Sequence, residues 1–299
     1  MEKNNVSAKK IKVKIKVNIK NETKNDTKNE SKNESKNESN NKKNKGKNKG
    51  ETDELKFKKY IAEQKNHDIF GEIKKLENFP GSIINQHTNN KKTKSSSKAD
   101  IFVNGSGYSI KSCSGANPSI LNHTHRQNIK KCCAGINLNI DDIDKDVNEY
   151  INLRISGKIT EDLDNSNKLS PWKKRSKYLD RLLEYFLFDG TGGREAKHKA
   201  DYLLILDKKY TLCISRKYFE EILDIMYDCL VISLRHKGLP KKNITKDMKP
   251  WIFNKDEKDN GGCLHVRLNI KKFTKLLIEK IENTDENINI KFCKNEIDI

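Results

Sequence analysis

The chain has 299 residues, 61 Lys+Arg against 42 Asp+Glu, a formal charge of +19 and a hydrophobic fraction of only 33%. That balance describes a soluble polyanion binder, and it excludes a membrane span, because no stretch approaches the roughly 18 consecutive apolar residues that a span needs. The N-terminus lacks the apolar core of a signal peptide, so an intracellular protein is expected, cytoplasmic or, in a eukaryotic host, nuclear.

Residues 1 to 50 hold 16 lysines against 6 acidic residues, which is ten of the nineteen net positive charges. The segment repeats a five-residue unit, NETKNDTKNESKNESKNES, and has almost no large apolar residue after Ile19. It cannot offset the entropy of ordering, so residues 1–51 are expected to form a disordered Lys/Asn-rich tail. Its early IKVKIKVNI stretch alternates as an edge strand would, but a lone strand is marginal in water. Nonspecific attraction to nucleic acid is one role for such a tail, and compositional drift is the other. The lysine clusters also fit a nuclear address.

From residue 52 to the end, apolar periodicity returns without an internal linker, which predicts one domain over 52–299. ELKFKKYIAEQ and IFGEIKKLENF carry apolar residues at helical spacing and predict two short helices before Pro80. SIINQ follows as a strand. ADIFV and GYSIKSC predict two strands joined at Asn104-Gly105-Ser106, since an Asn-Gly pair between apolar runs marks a hairpin. NHTHRQN, residues 122–128, reads as a polar loop, and the adjacent Cys132 and Cys133 as reduced thiols on a helix or its end. With seven cysteines and no C-x-x-C, neither a disulfide framework nor a paired zinc site is expected.

DDIDKDVNEYINLRI predicts a helix opened by capping aspartates. PWKKRSKYLDRLLEYFLF predicts the strongest helix, with Pro171 in its first turn and Leu179, Leu182, Leu183, Phe186 and Leu187 on one side. GTGGREAKHKAD is a basic glycine-rich connection that lacks the phosphate-loop pattern. DYLLILD and YTLCISR predict a strand pair, YFEEILDIMY a helix, CLHVRLNI a strand and KKFTKLLIEKIE a last helix. Helices around a mixed sheet make the fold α/β or α+β.

Within GYSIKSC, alternation puts Ser109 and Lys111 on one face while Ile110 takes the other. Asp100 leads the partner strand, so a hairpin brings its carboxylate beside that polar face. A carboxylate and a backbone carbonyl can hold Mg²⁺, whose water becomes more acidic, while an ammonium group orients the nucleophile and offsets phosphorane charge. This is the equipment of phosphodiester hydrolysis. A strand-edge aspartate and an outward lysine are also ordinary surface residues, and a non-enzymatic nucleic-acid binder, with its affinity from the tail and scattered lysines, is the rival reading.

The stretch SSSKADIFVNGSGYSIKSCSG resembles the PD-(D/E)XK nuclease motif, and in particular the MspI-like group of type II restriction endonucleases. Ala99 stands where the motif has proline, and Ser109 where it has an acid or an amide. A looser resemblance continues through ADYLLILDKKYTLCISRKYFEEI and GGCLHVRLNIKKF. It implies a restriction-endonuclease-like mixed β-sheet flanked by helices and a Mg²⁺-dependent, site-specific cleavage of double-stranded DNA. Asp100 and the backbone carbonyl of Ile110 would hold the metal, Ser109 would fill the second motif position, and Lys111 would be the catalytic lysine. An early-helix glutamate, Glu63 or Glu72, would complete the ligands. Asn122, His123, Arg126, Arg194 and Lys197 would face DNA, since Arg pairs with guanine or phosphate and Asn with adenine. A monomer or weak homodimer is implied, with a companion DNA methyltransferase in the genome. A repair or structure-selective nuclease is the nearer alternative on the same fold. The block led by Asp201 and ended by Lys217 has a spacing of sixteen instead of eleven and reads as a structural echo.

Overall fold

Asp53, Phe57 and Ile61 recur every fourth residue, and this stripe is the buried side of α1 (Lys49–Glu63). The computed structural model describes residues 49–82, 97–112, 116–159, 163–191, 193–235, 251, 262–283 and 290–294. The expected tail over residues 1–48 and most of the expected SIINQ strand lie outside the described residues. Residues 46–299 form one compact unit, and α1 starts three residues ahead of the expected domain start at 52.

After α1 come three two-residue strands, β1 (Asn66–His67), β2 (Gly71–Glu72) and β3 (Leu76–Glu77). The helix expected over IFGEIKKLENF is therefore corrected to extended chain. Gly71 adopts φ +69°, which ends helical spacing at that point. The Asn104 side chain then takes the backbone, accepting from the N–H groups of Lys74 and Lys75 at 2.9 and 3.1 Å and donating to the Glu72 carbonyl at 2.7 Å. A contact thirty residues away outweighs local periodicity.

The expected hairpin is present as β4 (Ile101–Val103) and β5 (Ser106–Ser112). Asn104 at φ 51° and Gly105 at φ 86° both take left-handed backbone, as a two-residue type I′ turn requires. Next are β6 (Ser119–His125), α2 (Arg126–Gly135), α3 (Ile140–Ile155) and β7 (Leu163–Asp164). NHTHRQN is thus the end of a strand and the start of a helix instead of a loop. Cys132 and Cys133 are free thiols buried on α2. The cap of α3 is Asn139, whose side chain accepts from the Asp141 N–H; the following aspartates occupy the first turn.

The helix expected from Pro171 begins instead at Lys177, as α4 (Lys177–Glu184). Tertiary partners hold the preceding turn open: Asn165 donates to the carbonyls of Trp172 and Tyr227 at 2.9 and 3.0 Å, and Arg175 pairs with Asp180 at 3.0 Å, Glu220 at 2.5 Å and Asp224 at 3.2 Å. Beyond α4 the chain widens into a π-helical turn, Tyr185–Asp189. The hairpin β8 (Gly190–Thr191) and β9 (Arg194–Glu195) leads to β10 (Tyr202–Leu206) and β11 (Tyr210–Ser215). The 3-10 turn Arg216–Tyr218 runs into α5 (Phe219–Asp228), followed by β12 (Leu230–Arg235), β13 (Cys263–Leu268), α6 (Ile270–Asn283) and β14 (Lys291–Lys294). Sequence reading assigned no strand to β12.

The architecture is mixed α/β, with six α-helices among the described residues and a six-stranded sheet in the order β14-β11-β10-β5-β4-β3. The β5 and β10 strands are parallel and every other neighbouring pair in this sheet is antiparallel. A second, antiparallel sheet runs β6-β13-β12-β7. Alternation in β5 and β10 splits the core. Tyr108, Ile110 and Leu204 join Phe57 and Ile61 under α1, while Leu203 and Ile205 join the larger core with α3, α4, α5 and α6. None of the helices among the described residues is long and apolar enough to cross a membrane.

Candidate functional site

The β4–β5 hairpin register pairs Ile101 with Tyr108, so the next position outward sets Asp100 opposite Ser109. Asp100 sits just before the first residue of β4. There its backbone N–H donates to the Tyr108 carbonyl at 2.7 Å, and its Oδ2 accepts from the Ile110 N–H at 2.8 Å. The carboxylate thus replaces the partner strand that β5 lacks beyond Ile101. In an extended chain the N–H and C=O of one residue point the same way, so the Ile110 carbonyl also faces this side.

Ser109 and Lys111 lie on the face of β5 that carries Leu203 and Ile205 across the parallel ladder. Ser109 is 0% exposed, and its Oγ has no hydrogen-bond partner among the described residues. An orphaned buried hydroxyl is costly, on the order of 1–3 kcal/mol. Lys111 is half-buried and makes no ion pair among the described residues. An ammonium without an ion pair among those residues, one residue past the Ile110 N–H at which the Asp100 carboxylate is fixed, offers an anion a charged partner.

The two early glutamates lie elsewhere. Glu63 is exposed at the end of α1, and Glu72 is exposed on β2 and pairs with Lys74 at 3.3 Å. The α1 acid that reaches β5 is Asp53, 2% exposed, which accepts a hydrogen bond from the Ser112 hydroxyl. Sequence reading missed it, although its place in the Asp53, Phe57, Ile61 stripe was a usable signal. An acid in register with a buried apolar stripe needs a polar partner.

The expected DNA-facing residues scatter. Asn122 and His123 are exposed in β6, at a bulge where two residues oppose His265 of β13, and His123 takes φ 46°. The His123 ring stacks on His265 with centroids 4.4 Å apart, and His265 Nε2 lies 2.7 Å from Ser119 Oγ. Arg126 Nε donates to Asp144 Oδ1 at 2.8 Å, and its second fork nitrogen meets Oδ2. That hydrogen bond raises the guanidinium pKa above its usual value. Trp251 Nε1 shares the same carboxylate at 2.7 Å, which ties Arg126 to a structural cluster. Arg194 is exposed on β9, and Lys197 is exposed just beyond it.

Asp201 repeats the arrangement of Asp100 from the other side. Its Oδ2 accepts from the Gly107 N–H at 2.8 Å, and its backbone N–H donates to the Gly107 carbonyl at 2.8 Å. Gly107 is required for close packing, since a Cβ there would stand 2.7 Å from the Lys199 carbonyl oxygen. Among the described residues, no group of three or more His, Cys, Asp and Glu side chains is arranged to hold a metal ion. No protein-family model, curated protein or solved structure matches the chain.

Proposed function

We propose that the chain is a metal-dependent nuclease that hydrolyses phosphodiesters of double-stranded DNA, with Asp100 and Lys111 as its working pair. The observation that carries this reading is the 2.8 Å bond from the Ile110 N–H to Asp100 Oδ2, which fastens the carboxylate to the backbone of the residue immediately before Lys111. In its finer form the proposal is a type II site-specific restriction endonuclease of the PD-(D/E)XK superfamily, on the strength of the hairpin's resemblance to that motif.

Hard oxygen donors suit Mg²⁺, which takes one or two carboxylates, keeps several waters and shares the substrate phosphate. The Asp100 carboxylate and the Ile110 carbonyl are donors of that kind, and a bound ion would make a water more acidic and offset charge on the phosphate. Lys111 places its ammonium group against the scissile phosphate, where negative charge grows during in-line attack. Asp100 stays in position because the β5 backbone holds one of its oxygens. Exposed basic groups, Arg194 and Lys197 among them, neutralise phosphates on either side. Such a restriction enzyme would need a partner methyltransferase to protect host sites.

The +19 charge favours a second reading, a nucleic-acid binder without catalysis. Plasmid DNA incubated with the purified full chain and Mg²⁺ separates the two. Discrete fragments support restriction, random nicks support a repair-type or nonspecific nuclease, and intact plasmid supports the binder. Lys111→Ala should lower cutting by roughly 10²–10³-fold and leave DNA binding largely intact; cleavage near the unaltered rate in that variant would sink the assignment.

A further inference from the structure

The parallel register of β5 and β10 sets Tyr108 directly beside Tyr202. Neighbouring strands are about 4.8 Å apart, so side chains at paired positions on one face must meet. The two rings stack with centroids 4.8 Å apart and planes 15° from parallel, and Phe70 closes edge-on against Tyr108 at 5.0 Å. These rings line a cavity of about 450 Å³ on the α1 side of the sheet, within the roughly 300–1,000 Å³ of small-molecule sites. It lies on the opposite face of β5 from Ser109 and Lys111.

The charge of the lining is one-sided. Among the described residues, Lys217 and Lys291 border the cavity and no carboxylate does. Lys217 is exposed, its Nζ lies 5.5 Å from the centre of the Tyr218 ring, and it has no carboxylate partner among the described residues. Lys291 donates to the Ile69 carbonyl at 3.2 Å, an uncharged partner that leaves its positive charge unbalanced. The adjacent residue makes the contrast. Arg216 is held on the other side of the chain by Glu184 at 2.9 Å and Asp189 at 2.5 Å. Burial also raises the Tyr108 phenol well above its ordinary pKa, so it stays neutral and adds no repulsion toward an anion.

An aromatic lining, two ammonium groups at the rim and the lack of a carboxylate among the described lining residues together suit a ligand with a flat ring and a negative charge. We propose that this cavity binds a nucleoside monophosphate unit, its base against the wall formed by Phe70, Tyr202 and Tyr218 and its phosphate at Lys217 and Lys291. Stacking selects a base without reading its identity, and the lysines act as point charges on the phosphate. The site is independent of the Asp100 and Lys111 pair.

Calorimetric titration of the full chain with deoxyadenosine monophosphate at physiological salt tests this. Saturable one-site binding is expected, weakened roughly tenfold by Lys217→Ala, as loss of one charge-assisted contact implies, and by more than that when deoxyadenosine replaces the nucleotide, since the contacts of both lysines with the phosphate are then lost. Lys111→Ala should bind as the unaltered chain does. Absence of saturable binding, or binding that Lys217→Ala leaves within about twofold, would overturn the proposal, the latter by placing the ligand on other basic groups. A lysine as exposed as Lys217 is replaceable without unfolding, and thermal melting of the variant checks that. Displacement of the nucleotide by a short single-stranded oligonucleotide would identify a strand-borne nucleotide as the source, and failure to displace it a free one; both uphold the site.

Discussion

The two faces of β5 differ in how they treat charge. Toward the larger core, Ser109 is sealed, and the nearby arginine, Arg216, is neutralised by two carboxylates. Toward α1, the sheet ends in a cavity bordered by Lys217 and Lys291, neither of which pairs with an acid among the described residues. A folded chain readily compensates an arginine that it half-buries, because its planar fork can meet two carboxylates at once. Cations left uncompensated on an ordered surface are where an external anion gains most. Lys111 belongs to that uncompensated class despite lying on the more enclosed face.

The contrast can be broken most severely at β10, whose neighbouring Leu203 and Leu204 point to opposite faces and are both 0% exposed. Leu203→Ala and Leu204→Ala should each destabilise the fold by about 2–5 kcal/mol. Urea denaturation measures both, and a negligible cost for Leu204→Ala would mean that the α1 layer is not a true core. Lys111→Ala should lower cleavage by roughly 10²–10³-fold if its ammonium acts on transition-state charge. Single-turnover cutting assays set that figure against unchanged stability.

The Arg216 and Lys217 neighbours give a smaller, sharper contrast. Arg216→Ala takes one partner from Glu184, which keeps Arg181, and one from Asp189, which keeps Lys199 at 3.6 Å; this should cost about 1 kcal/mol at a partly exposed position, whereas Lys217→Ala should change stability by less than about 0.5 kcal/mol. Equal effects in denaturation would remove the distinction between compensated and free cations.

The gentlest test is alkaline. Burial pushes the thiols of Cys132, Cys213 and Cys229 up to about 12, and that of Cys133 to about 11, from an ordinary 9.0. The unfolded chain loses these protons first, so their contribution is fully present below pH 9.0 and disappears as pH rises through about 11 to 12. Melting temperature followed across that window should fall steadily. The four thiols should also resist alkylation in the native protein at neutral pH.

Local chemistry made much of this legible. Asn104-Gly105 dictated its hairpin because few residue pairs tolerate two successive left-handed positions. The strands DYLLILD and YTLCISR and the helices carrying YFEEILDIMY and KKFTKLLIEKIE followed from their periods. The sharing of one face by Ser109 and Lys111 followed from strand alternation alone. Elsewhere local signals yielded to distant partners. IFGEIKKLENF has helical spacing, yet Asn104 and β4 bind its backbone as extended chain. PWKKRS would continue α4, yet Asn165 and three acids around Arg175 hold it open.

The sequence by itself determined the excess of positive charge, the β4–β5 hairpin and the placement of Asp100 beside the lysine strand, since each depends on neighbours within about a dozen residues. Only the tertiary structure decided the parallel pairing of β5 with β10, residues that lie 94 apart in the chain, as Tyr202 and Tyr108 do. That pairing stacks the two tyrosines, fixes Asp201 against Gly107 and sends Arg216 and Lys217 to opposite faces. Register between distant strands is set by how two cores fill at once, and no local pattern carries that information.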